Sequence, residues 1–522
     1  MKAFLQWTLI GLAGLGLLVA LFYAEEDLRG WQAWHHFKHQ WEAKGEKFDF
    51  AGVTPPPVPD DQNFAMSPVW IAEIKNTWQN NPERAKVWYG DRIDGEEVSK
   101  LASRMPVGVS GLVGNNWGSK QMPATPETPG RWATGRATDL GPWQSYYREL
   151  ERKTPAADIP ATTQPQSPAA DVLLALSKFD PVIERLRQDS ALPESRFPVI
   201  YTTDNPAEIL LPHLADVKRY AQVLQLRAIA ELQNGQGEKA MADVKLILRL
   251  TESIRTEPFL ISHLVRIAML NIALQPIWEG LEEHQWSEAQ LVELEAEMAK
   301  LNFVAGYKTG MRGEMGAQGG IFDYLRRHPD QFSSVLGNGN PADRSLGARI
   351  LWHLVPSGWF YRNRLSCARP VVEWYLPVAD TNHGTISPKA VRQADAQVKA
   401  DIKHRNRYNV AEGLFLNALG NSVRRFAYGQ ESADLARVAI ALERFHLAHG
   451  EYPGTLDALE PRFIETVPPD VINGEPLHYR RPLDGKFLIY SVGWNETDDN
   501  GRMPTAKNGS IDNSQGDWTW EN

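Results

Sequence analysis

The chain has almost no cysteine, no excess of positive charge and none of the short motifs that mark common catalytic sites. Cys367 is the single cysteine among 522 residues, so an intramolecular disulfide is excluded and the fold must be stabilised by core burial. No histidine partner motif accompanies Cys367, and we interpret it as a buried structural thiol. The formal net charge of −9, without a run of lysine and arginine, argues against a nucleic-acid-binding protein.

The missing catalytic motifs lower the expectation of an enzyme without excluding one. The chain contains no HExxH, CxxC or GxSxG motif. A glycine-rich stretch at 306–320 lacks the GxxxxGK[ST] pattern that binds phosphate. His446 and His449 could bind a metal with a ligand from elsewhere, although exposed polar positions on a helix explain them equally well. Paired carboxylates are plentiful, but their spacing in the sequence cannot place two of them across a cleft.

The longest apolar run lies at the N-terminus, at residues 3–23. About twenty residues suffice to cross a hydrocarbon core of roughly 30 Å as a helix. Lys2 precedes the run and three acidic residues follow it at 25–27, so the positive-inside rule predicts a cytoplasmic N-terminus. A cleaved signal peptide is the alternative, but residues 22–24 form a poor cleavage site. The sequence therefore predicts a single-pass inner-membrane anchor over 1–24, with the bulk of the chain periplasmic.

Three further regions follow from composition and periodicity. Residues 25–152 combine a polar, tryptophan-rich helix with a loop-rich stretch that contains three consecutive prolines. Residues 153–170 are typical of a Pro/Ala/Thr linker. Apolar residues spaced three and four apart then predict an irregular α-helical domain over 171–425, with a helical hairpin that turns at 234–237. The hairpin weakly resembles one tetratricopeptide unit, but no second copy follows at that period.

The pattern changes over the last hundred residues. Residues 431–450 predict an amphipathic helix that ends at Gly450. Residues 477–480 and 487–492 predict two strands of a small antiparallel sheet. The segment NETDDNG at 495–501 has too many turn-forming residues for a strand and is predicted to be an acidic loop. The predicted fold class is therefore mainly α, with a C-terminal α+β module over residues 426–522.

This order of a long helix, a small sheet and an acidic loop resembles the globular domain of the major pseudopilin of type II secretion systems. A pseudopilin carries its hydrophobic helix directly before this domain, whereas here the apolar run lies at 3–23. The resemblance therefore implies a shared module, at 426–522, on a different kind of protein. The chain also resembles a family of bacterial membrane-anchored proteins through EAKGEKFDF at 42–50, PPPVPDDQNFA at 55–65 and YSVGWNETDDNG at 490–501. Neither resemblance implies an enzymatic activity.

The pseudopilin resemblance also implies a calcium site. In that family the late acidic loop, together with an aspartate near the C-terminal tryptophan, holds a calcium ion. The positions that match here are Asp498, Asp499 and Asp517, with Asn495 or Asn500 as further oxygen donors. The alternative is a solvated acidic turn without an ion, since the spacing does not match an EF-hand loop.

These features favour a membrane-anchored envelope protein that acts as a non-catalytic binding or assembly scaffold. Its expected partners are the membrane and a protein of unknown identity, and not nucleic acid. Two alternatives stay open. A periplasmic hydrolase would have a deep pocket in the helical domain, with carboxylates or histidines of perturbed pKa. A component of a type II secretion or pilus-like machine would expose an apolar patch on the C-terminal helix.

Overall fold

The chain is mostly helical, with an apolar helix at its N-terminus and a small antiparallel sheet near its C-terminus, as the sequence predicts. The computed structural model describes residues 2–104, 126, 130–153, 159–335, 352–404, 406–416, 419–482, 485–505 and 511–521. The α-helices within these ranges are α1 (Lys2–Glu42), α2 (Phe50–Val53), α3 (Pro68–Thr77), α4 (Pro82–Tyr89), α5 (Glu96–Arg104), α6 (Gly141–Lys153), α7 (Pro168–Leu176), α8 (Asp180–Asp189), α9 (His213–Gln233), α10 (Gly237–Ser253), α11 (Leu260–Glu282), α12 (Glu288–Met298), α13 (Phe303–Arg327), α14 (Phe332–Val335), α15 (Ser357–Pro370), α16 (Pro388–Lys403), α17 (Glu412–Phe415) and α18 (Leu419–His449). The strands are β1 (Ala379–Asp380), β2 (Thr385–Ile386), β3 (His478–Arg480), β4 (Leu488–Ser491) and β5 (Trp518–Glu521).

The first helix is much longer than the apolar run that begins it. Its large apolar side chains between residues 4 and 22 are exposed, which is compatible with a membrane anchor. Further along the same helix, Trp34 and Phe37 are buried in the body at 2% and 6% exposure. The helix therefore passes from an exposed apolar half to a packed half without a break. Helix α11 is also long and apolar enough to span a membrane, but 67% of its apolar window is buried inside the protein.

Helices α9 and α10 form the predicted hairpin, and Gly235 in its turn has a φ of +69°. The sequence pattern of the glycine-rich stretch at 306–320 indicates no single type of secondary structure. The stretch lies in the long helix α13. Its glycines allow close approach of other segments. A Cβ on Gly313 would overlap the backbone carbonyl of Pro258, and one on Gly316 would lie 3.1 Å from the Cα of Phe50. These glycines therefore serve helix packing.

The C-terminal sheet has the order β3–β4–β5, and both pairs are antiparallel. Ile489 of β4 lies opposite Tyr479 on one side and Trp520 on the other. The two predicted strands are confirmed with slightly shorter bounds. Helix α18 begins at Leu419, before the start expected from the periodicity, and so runs through the predicted module boundary at 426. It ends at the predicted place, where Gly450 has a φ of +77°.

The C-terminal module packs directly on the helical body. The ring centroids of Trp520 and Trp132 are 5.2 Å apart, and the indole N–H of Trp278 donates to the carbonyl of Glu521 at 2.8 Å. Buried apolar residues form a continuous cluster from α1 to β5. The C-terminal module and the helical body therefore share this core, and a second, smaller cluster lies around Phe322 and Phe360.

The described part of the predicted Pro/Ala/Thr linker, 159–170, is held against α6. Arg148 of α6 donates to the backbone carbonyls of Thr162 and Gln164, each at 3.2 Å, and pairs with Asp171 at 2.7 Å. Helix α7 begins at Pro168, inside the same segment. The segment is rich in proline and small residues, as linkers are, but its described residues form a fixed connection. They are fixed because the Arg148 guanidinium donates hydrogen bonds to their backbone carbonyls.

Candidate functional site

A cleft of about 720 Å³ opens on the helical body between α8 and the hairpin of α9 and α10. Several of its charged residues lie four positions from another charged residue, which places the two members of each pair on the same helix face. The cleft wall and the layer directly behind it carry three such pairs: Asp180 with Glu184, Arg227 with Glu231, and Lys239 with Asp243. The fold brings these three faces together, which the sequence alone could not show.

Asp243 is the centre of the charged network behind this cleft. It is fully buried, and its two carboxylate oxygens bind different arginines: Oδ1 lies 2.6 Å from Arg187 and Oδ2 lies 2.9 Å from Nε of Arg227. Arg227 also pairs with Asp180 at the cleft wall. Burial raises the pKa of Asp243, and the two guanidinium groups oppose that rise. Asp243 thus joins α8, α9 and α10 through one buried carboxylate.

The environment of Glu231 is better suited to acid–base chemistry than that of Asp243. One of its oxygens lies 3.7 Å from Arg227, and the other is buried without a hydrogen-bond partner. Burial, together with the negative charge of Asp243, raises the pKa of Glu231 to about 8. A carboxyl that keeps its proton at neutral pH can act as a general acid, so the cleft contains a group with catalytic potential.

Replacing Glu231 by glutamine should change how stability depends on pH. The folded-state pKa of about 8 lies above the ordinary value of 4.5, so the stability that the neutral carboxyl provides is complete below pH 4.5 and is lost as the pH rises towards 8. Glutamine cannot ionise. Between pH 5 and pH 8 the variant should therefore lose less unfolding free energy than the wild type, by on the order of 3 kcal/mol.

Thermal or denaturant unfolding in detergent at several pH values checks this expectation. Glu238→Gln is the matched control, because Glu238 lines the same cleft but is exposed. Parallel pH profiles for the wild type and Glu231→Gln would show that Glu231 is ionised in the folded protein.

A second buried cluster resembles a hydrolytic triad in composition but not in order. Glu257 accepts hydrogen bonds from both His213, at 2.6 Å, and the hydroxyl of Ser262. In a catalytic triad the imidazole must lie between the carboxylate and the nucleophile, so that it can take the hydroxyl proton. Here the carboxylate lies in the middle and all three residues are buried. We therefore interpret the cluster as a hydrogen-bond network of the core.

Close to its exposed apolar half, α1 crosses α15 at two glycines. A Cβ on Gly358 would overlap the backbone of Glu26, and a Cβ on Gly30 would overlap the backbone of Gly358. The backbone N–H of Gly358 also donates to the Asp27 carboxylate at 2.7 Å. The backbones of α1 and α15 are therefore in direct contact, and this close packing ties α1 to the body.

Polar groups lock the same crossing. Glu26 is 4% exposed, and its carboxylate pairs with Arg407 at 3.0 Å and accepts the hydroxyl of Tyr408. The Tyr23 hydroxyl donates to the carbonyl of Leu354, directly at the end of the apolar run. The Glu26 carboxylate is thus buried and held by two partners from one segment, although the Arg407 side chain itself is 61% exposed. We call this set of contacts around Gly30 and Gly358 the mount.

Cys367 lies on α15, beside the mount, and is 1% exposed. Burial raises the pKa of its thiol, which keeps it protonated and unreactive. The prediction of a buried structural cysteine is confirmed.

The three aspartates of the predicted calcium site lie in one region but are held by local hydrogen bonds. Asp517 is fully buried and accepts the backbone N–H groups of Asp499, at 3.1 Å, and Gly501, at 2.6 Å. Asp498 accepts the Tyr490 hydroxyl, and Asp499 accepts the amide of Asn495 at 2.7 Å. Among the residues that the structure describes, these carboxylates do not form a group whose donor atoms all lie within 4.8 Å of one another. Calcium binding would therefore require the loop to close further.

Burial and the charges of Asp498 and Asp499 raise the pKa of Asp517, although its two backbone hydrogen bonds oppose that rise. A calcium ion would relieve this repulsion. If the predicted site exists, calcium should stabilise the folded protein by about 2.7 kcal/mol at a hundredfold excess over Kd, since it binds only that state. Thermal melting of the whole protein with calcium and then with chelator measures the gain.

Asp499→Asn should abolish the calcium gain, and Asp512→Asn, in the neighbouring turn, should keep it. An unchanged midpoint in the wild type would leave the solvated acidic turn as the correct interpretation.

The chain matches no protein-family model, no curated protein and no solved structure. The roles of its residues therefore rest on the geometry of the cleft, the mount and the loop.

Proposed function

We propose that this protein is a membrane-anchored scaffold that holds its helical body in a fixed orientation against the bilayer and binds a partner protein at the cleft. The observation that carries the proposal is the mount. The membrane helix enters the body as one uninterrupted helix and is fixed there by the backbone contact of Gly30 and Gly358.

A rigid mount supports a scaffold better than it supports a tethered enzyme. An enzyme that acts on a diffusing substrate needs only to stay near the membrane, and a flexible linker provides that. A scaffold must present its binding surface at a defined height and angle. The Gly30–Gly358 contact, the buried Glu26 and the continuous helix supply such a defined geometry.

The cleft is the proposed surface for the partner. Most of its charged residues already pair with each other: Arg187 with Glu184 at 2.9 Å and Arg227 with Asp180. A surface of paired charges presents both positive and negative groups to a polar protein segment. None of these charged groups is left without a partner of opposite charge. We further propose that the cleft lies in the periplasm, because acidic residues 25–27 follow the apolar run.

The scaffold proposal is tested by separating the anchor from the body. A flexible linker of about twelve Gly and Ser residues, inserted after Ala24, should leave the protein in the membrane but free its orientation. A photo-crosslinking amino acid at Lys239, which is exposed in the cleft, should give a discrete cross-linked product in cells. The same group at Val292, exposed on α12, is the control.

The proposal expects the Lys239 product in the wild type, its loss in the linker variant and its absence from Val292. No discrete product from Lys239, or one that the linker leaves unchanged, would contradict it.

For topology, a reporter that is active only in the cytoplasm should be silent when it is fused after residue 522.

A hydrolase with its site in the helical domain is the second candidate, because the cleft contains Glu231 with its raised pKa. The purified protein can be tested on model esters, amides and glycosides. Turnover that Glu231→Gln abolishes and Glu238→Gln preserves would favour this candidate. A secretion-machine component gains no such support, since Leu447 is the one large apolar side chain that the structure shows exposed along the described helix α18.

A further inference from the structure

Three side chains with metal-ligating atoms meet where the end of α11 packs against α18. They are His284, Glu443 and His446, and one donor atom of each lies within 4.8 Å of the others. His284 Nδ1 is 2.8 Å from Oε1 of Glu443. Within the described ranges, this is the one group of three or more His, Cys, Asp or Glu side chains whose ligand atoms all lie within 4.8 Å of one another. We infer that these three residues form a zinc site that joins the helical body to the C-terminal module, a role distinct from the proposed scaffold function.

The burial of Glu443 supports a cation at this place. Its side chain is 1% exposed, and its second oxygen accepts the hydroxyl of Tyr452 at 3.2 Å. A buried carboxylate needs a compensating positive charge. A divalent ion bound beside Glu443 would supply that charge directly.

His446 adds a second, independent sign. Its Nδ1 is buried without a hydrogen-bond partner. The ring stacks between those of His284 and Tyr452, with centroid distances of 4.9 and 4.7 Å. A ring nitrogen left without a donor or acceptor in the interior is costly, and a metal ion would satisfy a lone pair there.

The backbone of His284 is the third observation. Its φ is +50°, in the left-handed region where helix C-termini usually place glycine. The backbone N–H of Gln285 bonds to the carbonyl of Gly280 at 2.8 Å, which is the hydrogen bond expected for that type of helix end. A histidine in this conformation costs on the order of 1 kcal/mol. The folded protein tolerates this cost, and the backbone conformation directs the imidazole towards Glu443.

The donor set fits zinc. Two imidazoles and one carboxylate are a common three-residue set for four-coordinate zinc, with water in the fourth position. Tetrahedral zinc holds its donor atoms roughly 3.3 Å apart, so the present spread must contract by about 1.5 Å at most. The His284 side chain is 47% exposed, which allows that rotation and gives an ion access. A metal at Nδ1 of His284 would require that nitrogen to be free of its proton, with any remaining ring proton on Nε2.

The site differs from the one that the sequence pattern suggests. His446 and His449 are three residues apart, but His449 bonds through Nδ1 to the carbonyl of Phe445 at 2.9 Å and stacks on the Phe445 ring. The further ligands for His446 are Glu443, three residues earlier on the same helix, and His284 from the end of α11, and sequence reasoning missed both. A histidine directly after the end of α11, at a position where glycine is usual, is the sequence signal that could have found the site.

Titration of the whole protein in detergent, purified without a histidine tag, tests the inference. Zinc, followed by competition with a chromophoric chelator, should show one tight site per chain. Cobalt in its place should give the intense visible absorption of tetrahedral coordination. His284→Asn and His446→Gln should each weaken zinc binding by more than roughly a hundredfold, since even outer-shell changes cost 10–100-fold. Asparagine tolerates positive φ, so His284→Asn adds little strain.

His449→Gln is the matched control and should bind zinc like the wild type. Thermal melting in chelator shows that each variant is folded. The inference is overturned if the wild type lacks a tight site, or if His284→Asn and His446→Gln, both folded, keep wild-type affinity. Neither result would affect the Lys239 cross-link, so the zinc site and the scaffold proposal can fail separately.

Discussion

Replacing Gly358 by leucine should release helix α1 from the body. The new side chain would overlap the backbone of Glu26, and backbone atoms cannot move aside as a flexible side chain can. Relief requires α1 to separate from α15, which exposes Trp34 and Phe37 and takes the buried Glu26 carboxylate away from Arg407. Overpacking alone costs about 1–3 kcal/mol, and the lost burial adds to it. We expect a loss of at least about 3 kcal/mol.

Thermal melting and limited proteolysis in detergent measure this effect. Gly14→Leu is the matched control: Gly14 lies on the same helix, and a Cβ there would meet nothing within 4 Å. Gly358→Leu should melt far lower and expose a protease site near the end of α1, while Gly14→Leu should behave like the wild type. Equal melting of the two variants would mean that the helix crossing contributes little.

Asp243→Asn should produce the second large effect. Asparagine preserves the volume but removes the charge, and Arg187 and Arg227 then share a buried site without their common partner. Removing one partner of a buried pair costs about 3–5 kcal/mol. Because Arg187 can turn towards Glu184 at the surface, we expect a loss near the lower limit, about 3 kcal/mol.

Glu184→Gln is the control for this experiment. It removes a carboxylate from the same arginine, but its side chain is 55% exposed, and exposed pairs contribute about 1 kcal/mol or less. Denaturant unfolding should therefore separate the two variants clearly. A small effect of Asp243→Asn would indicate that Asp243 is already neutral in the folded protein.

The parts of the fold that depend on local pattern could be predicted from the sequence. The hairpin of α9 and α10, the strands β3 and β4 and the helix end at Gly450 follow from apolar spacing and from glycine. Two local predictions need revision. Helix α18 starts at Leu419 because buried residues such as Val423 and Phe426 extend its packed face. The described residues of the Pro/Ala/Thr segment are fixed by Arg148, a contact that composition does not reveal.

The sites depend on contacts between distant residues, and sequence spacing carries little information about them. His284 and Glu443 are 159 positions apart, and Gly358 lies 331 positions from Asp27. The pairs within the cleft follow the four-residue spacing of helices, but their meeting across three helices depends on tertiary packing. The acidic loop at Asp498 was found from composition, and its calcium remains a prediction.

The rigidity of the mount is the central claim, and a distance measurement between two spin labels tests it most directly. The labels are placed at Leu17→Cys, exposed in the apolar half of α1, and Val292→Cys, exposed on the body. Cys367 is buried and should stay unlabelled. In lipid nanodiscs, pulsed electron resonance should give one narrow distance distribution, which Gly14→Leu preserves and Gly358→Leu broadens. A broad distribution in the wild type would contradict the account, because the body would then move freely relative to the apolar half of α1.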